Sequence, residues 1–205
     1  MSEEVAEIFS KHIFSSEYED LSEKTIKQLK VFLLDTVGVG IAGSTGSKLE
    51  ELKKIAHTWS EGQNCTVLGT WDKYSRDAAT VINAYQIHCL EFDCIHEGAV
   101  VHPMAAVLSS LLALCEELNN LGHKINGKDF LISLALGVDI ASFLGICAKG
   151  ELKFFRPATA SGFGAVAALS KIQKFSIEEI HNALGIMYSQ TCGNMQSHVE
   201  GVPIL

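Results

Sequence analysis

Apolar side chains recur three and four residues apart in every long segment of this chain, and alternation with a period of two is nearly absent. Such spacing lays a hydrophobic stripe along one side of a helix and leaves a strand with no inner face, so it restricts the fold to packed helices. From residue 22 to about 42, Ile26, Leu29, Phe32, Leu33, Val37 and Ile41 form a broad stripe behind Ser22, a suitable N-cap. This helix is expected to be mostly buried, with Gly38, Gly40 and Gly43 marking close backbone packing or an early end. Residues 2–14 place Val5, Ile8, Phe9 and His12 on one face, with Ser2 as cap. Leu49, Leu52, Ile55, Ala56 and Trp59 make another amphipathic segment, and Ala78, Val81, Ile82, Tyr85 and Cys89 carry a helix from residue 77 to about 90. Between them only Thr66, Val67 and Leu68 read as extended.

The second half of the chain repeats the pattern. Pro103 fits the first position of a helix that ends near Asn119, Asn120 and Gly122. Asn126 and Asp129 open a helix to about residue 148 that is apolar on most sides apart from Asp139 and should lie centrally. Residues 157 to about 172 are rich in alanine and glycine, which leaves a narrow helix that neighbours can approach closely. Ser176 and Glu179 form a capping box for the last helix. About eight helices with short connections and no internal repeat predict one all-α domain over residues 1–205.

Composition narrows the functional classes. With 205 residues, 47% of them hydrophobic, the chain can bury a sizeable core. A formal charge of -8 and the lack of a basic run argue against a nucleic-acid partner. Cys65, Cys89, Cys94, Cys115, Cys147 and Cys192 are scattered, and the acidic N-terminus has no apolar signal core, so a reduced, cytoplasmic protein is expected. The apolar runs are broken short of ~20 residues, so no membrane span is expected.

Reactive groups concentrate in HCLEFDCIHEGAVVHP, residues 88–103, which joins two helices. His102 precedes Pro103 and so falls at the cap of the following helix. Free amides at a helix start attract anions, so a small carboxylate could sit beside His102 and face Asp93 or Glu91 as base. Cys89, Cys94, His96 and His102 offer metal ligands, but their spacing matches no common zinc pattern and no metal is expected. A nucleophilic Cys94 beside His96 is a further reading, weaker than that of an inert buried thiol. Gly162 and Gly164 follow no strand and form no phosphate loop.

Together with LKVFLLDTVGVGIAGS (29–44), INAYQIHCLEFDCIHEGAVVHPMAAVLSSLLALCEE (82–117), FRPATASGFGAVAALSKI (155–172) and ALGIMYSQTCG (183–193), this stretch resembles the MmgE/PrpD family. Members include 2-methylcitrate dehydratase, cis-aconitate decarboxylase and iminodisuccinate epimerase. The resemblance implies a mostly helical domain, with the family's smaller α+β lid absent from this chain. It implies metal-independent, cofactor-free chemistry at a carbon beside a carboxylate of a small di- or tricarboxylate. By position Asp93 matches the family's acidic loop residue and His102 the histidine of its His-Pro pair, while Glu91 and His96 match polar neighbours. Those four are the candidate catalytic residues, with Arg156 and His88 as candidate substrate binders.

Two positions depart from the family pattern. Cys94 stands where a second acidic residue is common, and Arg156 stands where a histidine is usual. Arginine can grip a carboxylate with two hydrogen bonds but cannot act as an acid or base near neutral pH. A lysine expected after a Glu-Gly such as Glu200-Gly201 would fall near Leu205, so the chain is expected to cover roughly the first half of a family member. Two readings follow: a lyase or isomerase domain, or a non-catalytic relative or split subunit that binds an anion or a partner chain. Either should form a homodimer, another homo-oligomer or a complex with a complementary chain, and the 205 residues alone are expected to be inactive. Asp93, His102 and Arg156 are expected to converge on one pocket.

Overall fold

The expected caps Ser22, His102, Asn126 and Ser176 stand at helix starts in the computed structural model, which describes residues 4–59, 61–150 and 155–199. The helices are α1 (Val5–Ser15), α2 (Glu23–Ala42), α3 (Leu49–Ala56), α4 (Arg76–His88), α5 (Pro103–Asn120), α6 (Gly127–Cys147), α7 (Arg156–Ile172), α8 (Ile177–Gln190) and the single turn α9 (Gln196–Val199). Ser22, Ser75, Asn126 and Ser176 accept the amides of Thr25, Ala78, Asp129 and Glu179, and Glu179 completes the box by accepting from the Ser176 amide. Ser2 and the Glu200-Gly201 pair lie outside the described residues. Among those described, regular strand is confined to β1 (Cys65–Thr66) and β2 (Lys73–Tyr74), paired antiparallel with Cys65 opposite Tyr74. Glu116 of α5 holds this hairpin, accepting from the Thr66 amide and hydroxyl at 2.6 Å each and pairing with Lys73. The fold is all-α, as the periodicity requires.

α5, α6 and α7 form the centre. Val107, Leu108 and Leu111 of α5 pack with Leu134 of α6 and Ala168 of α7 in the largest buried cluster. α6 and α7 touch through their backbones: a Cβ built on Gly164 would lie 2.4 Å from the Gly137 carbonyl oxygen and 2.9 Å from the Ala141 Cβ. Gly164 and Ala168 of α7 serve this crossing, while Gly162 faces Met187 of α8. Replacing Gly164 by alanine should force the helices apart and destabilise the fold by about 1–3 kcal/mol. Urea unfolding would read the loss as a lower midpoint at unchanged slope.

Burial corrects three expectations. In α2 only Leu29, Thr36 and Gly40 are buried, whereas Val31, Leu34 and Ile41 face outward, so the helix is not mostly buried. Gly40 and the C-cap Gly43 do serve close approach, since a Cβ on Gly43 would lie 1.8 Å from the Gln86 carbonyl oxygen of α4, but a Cβ on Gly38 would meet nothing within 4 Å. On α1 the buried face runs through Ser10 and Ile13, and Val5, Ile8 and His12 are exposed, because the helix docks on α7 and α8 along the adjacent side. In α3, Ile55 is exposed and Lys53 is buried, its ammonium reaching Asp72 at 3.2 Å and Glu50 at 3.3 Å; Trp59, beyond the helix, is also exposed. Finally, α6 has a mean hydropathy of 2.1 over its most apolar window and is long enough by composition to cross a membrane, which the interrupted runs did not suggest. Its Leu131, Leu134, Ile140 and Ala141 lie in the core.

Candidate active site

α4 ends at His88 and α5 begins at Pro103, so residues 89–102 form one loop between two anchored helices. Glu91 takes a left-handed φ of 56° just after α4 and turns the chain back toward the helix. The loop then closes on itself: the His96 amide donates to the Val101 carbonyl at 3.0 Å, and the His96 imidazole accepts the Ala99 amide at 3.1 Å. Val100 sits at φ 55°, a conformation that costs a β-branched residue roughly 1–3 kcal/mol. Ala99 and Val101 on either side of it are fully buried. The next residue is His102, the N-cap of α5.

Asp93 is the buried centre of the loop, and its side chain has no exposed surface. Oδ1 lies 3.0 Å from His88 Nδ1 and Oδ2 lies 3.2 Å from His102 Nδ1. The first contact is a hydrogen bond; the second has the distance of an ion pair without hydrogen-bond geometry. Each carboxylate oxygen therefore faces one imidazole. The rings are 4.8 Å apart at 61° to each other, and both are about one-fifth exposed, at 18% and 20%. A carboxylate can only accept, so His88 Nδ1 carries the proton and its Nε2 is left to act outward. The Asp93 hydrogen bond raises the proton affinity of His88 above that of a free imidazole, against the opposing effect of burial.

Both imidazoles line a cleft of about 390 Å³ with Tyr85 of α4, Ala105 of α5, and Phe155 and Ser161 at α7. A groove of about 490 Å³ elsewhere, between α1, α6, α7 and α8, has no histidine or cysteine among the described residues of its wall. Chemistry, rather than size, identifies the site. The hydroxyl of Ser161 is buried in the cleft wall without a hydrogen-bond partner. Nothing in the sequence separated Ser161 or Tyr85 from their neighbours, since one is a small residue in a run of small residues and the other an aromatic on an apolar stripe.

The other candidates take different places. Glu91 is exposed at the rim, with Oε1 4.0 Å from His88 Nε2. His96 is exposed and spends its Nδ1 on its own loop. The guanidinium of Arg156 donates to the carbonyls of Ala99 at 3.4 Å and Gly145 at 3.3 Å, and the residue is not part of the cleft wall. Convergence of Asp93, His102 and Arg156 on one pocket is thus corrected: the first two meet, and the backbone has claimed the third. His88, Asp93 and His102 do present ligand atoms within 4.8 Å of one another, a set that excludes both cysteines of the loop. Cys89 lies against the carbonyls of Gly43 and Gln86. Burial, aided by the Asp93 charge, pushes the Cys94 thiol up to about 11, which removes it as a nucleophile at neutral pH. Iodoacetamide at pH 7 should therefore alkylate the exposed Cys147 and Cys192 well before Cys94, as peptide mass spectrometry would show.

The fold and loop together define an all-helical domain that carries its reactive groups between the end of one helix and the head of the next. The chain belongs to the MmgE/PrpD family, whose N-terminal domain it matches over residues 7–203. It is 29% identical over 191 residues to the cis-aconitate decarboxylase-like protein oryM of Aspergillus oryzae, covering 89% of this chain and 39% of that one. Identity to the cis-aconitate decarboxylase of Homo sapiens is 29% over 194 residues, 92% of this chain and 40% of the relative. With the cis-aconitate decarboxylase of Aspergillus terreus it is 24% over 188 residues, 90% and 38%. The chain spans about two-fifths of the length of the curated relatives it matches.

Proposed function

We propose that this domain supplies the acid and base groups for proton transfer at a carbon beside a carboxylate in a small di- or tricarboxylate. Decarboxylation of a cis-aconitate-like substrate is the favoured reaction, given the names of the relatives, with dehydration and epimerisation as the family's other outcomes. The observation that carries the proposal is the buried Asp93 between two imidazoles on the wall of a cleft. Asp93 hydrogen-bonds the Nδ1 edge of His88 and faces the Nδ1 edge of His102 at 3.2 Å, so each ring offers Nε2 to a ligand, one as acid and the other as base. The first turn of α5, whose amides lack partners within the helix, borders the same cleft through Ala105 and favours an anion there.

Calorimetric titration with citrate, 2-methylcitrate, cis-aconitate and iminodisuccinate tests the reading. His102→Ala should weaken the tightest of these at least tenfold. A wild-type domain that binds none of the four counts against carboxylate chemistry, and binding without turnover in any longer form favours a non-catalytic relative.

The three clustered ligand atoms favour a second reading, a bound divalent cation. We prefer acid and base chemistry because His88 Nδ1 is already hydrogen-bonded to Asp93, and a metal would have to displace that proton. One tightly held metal per chain on elemental analysis would reverse the preference.

A further inference from the structure

We infer that Arg156 is a positioning residue: it clamps the backbone that delivers His102 to Asp93, and it does not hold a substrate carboxylate. The role of His102 in catalysis rests on the function proposed above; the clamp itself does not. Arg156 is the first residue of α7, where a cation opposes the helix dipole, so its placement calls for a compensating partner. It has two, the carbonyls of Ala99 and Gly145. Gly145 lies in the last turn of α6, whose carbonyls have no partner within the helix, and a guanidinium is a favourable group there. One side chain thus ties the end of α6, the start of α7 and the catalytic loop together.

The loop segment it grips is the one that most needs holding. Val100 is left-handed, and its neighbours Ala99 and Val101 are fully buried against Ala160 of α7 and Leu144 of α6. α6 presses from the other side with no space to spare, since a Cβ on Gly145 would lie 2.6 Å from both the Ala99 oxygen and its Cβ. His102 follows two residues after the strained position, so a displacement of Ala99 is transmitted over three residues to the imidazole facing Asp93. A carboxylate-binding arginine would line the cleft beside His88 and His102. Phe155, Pro157 and Ala158 do so, and Arg156 between them does not.

The test is the imidazole NMR spectrum of the ligand-free domain with 15N-labelled histidine, recorded against pH for wild type, Arg156→Ala and Gly145→Ala. Arg156→Ala should move the His102 resonances and lower Tm by about 4–8 °C. Added guanidinium ion should return the resonances toward their wild-type positions. Gly145→Ala leaves the arginine in place and pushes Ala99 directly, so it should disturb the same resonances; it also serves if Arg156→Ala does not fold. His102 signals unmoved in the folded variants would overturn the clamp, as would Arg156→Ala weakening citrate binding tenfold while those signals stay in place. Because the spectra need no ligand, a wild-type domain that binds no carboxylate would sink the proposed function and leave this result readable.

Discussion

Replacing Asp93 by alanine is expected to destabilise the domain by about 3 kcal/mol, the cost of removing one member of a buried charged pair. At this chain length that corresponds to a fall in Tm of roughly 6–12 °C. The loss comes from His88 and His102, which would face each other across a void with no carboxylate between them. The same variant should change the pH dependence of stability. His88 binds its proton more tightly folded than free, chiefly through the Asp93 hydrogen bond. That contribution is fully present below the unfolded value of about 6.5 and disappears as pH rises through the higher folded value. Wild-type stability should therefore decline from just above pH 6.5 upward in this window, and the Asp93→Ala curve should be flat there. Urea titrations at half-unit pH intervals would show both slopes; parallel curves would mean that Asp93 does not govern His88.

The second large effect concerns turnover. The 205 residues on their own should convert none of the four carboxylates at a measurable rate. A carbanion beside a carboxylate needs cationic or amide donors around the developing charge, commonly the largest share of the rate enhancement. Among the described residues the cleft wall contains no lysine or arginine, and Arg156 is tied to backbone carbonyls. It is also open on one side, so water remains to screen what charge stabilisation the imidazoles and the head of α5 provide. Saturable decarboxylation of cis-aconitate by the purified domain, followed by carbon dioxide release, would contradict this directly.

How much of this was legible depends on the range of the interaction. Helix starts were readable because a cap is a local event: Ser22, Ser176 and Asn126 each satisfy an amide three residues away. The crossing of α6 and α7 was readable in kind, from the small residues of the second helix, but its partner Gly137 was not, since no local pattern names a contact across the chain. Which apolar residues stay exposed was also hidden. Ile41 and Leu29 stand in one stripe, and only the docking of other helices decides that one is 40% exposed and the other 5%. At the site, the density of reactive groups between residues 88 and 103 pointed to the loop, and the proline after His102 fixed where that imidazole stands. Charge type alone could not place Arg156. A guanidinium can grip a carboxylate or donate to carbonyls, and here it donates to those of Ala99 and Gly145, forty-six residues apart along the chain.

The backbone contact between Gly137 and Gly164 also governs how this protein can change over generations. A Cβ on Gly164 would lie 2.4 Å from the Gly137 carbonyl oxygen, main chain that no substitution removes, whereas one on Gly137 would meet the Val107 side chain first, at 2.4 Å, and the Gly164 oxygen at 3.0 Å. Gly164 is therefore the more tightly fixed of the two. Drift is thereby diverted to the outer faces of α6 and α7. Gly145 lies about two turns along α6 from that seam. The seam behind the loop is therefore the part of the frame least able to change one residue at a time.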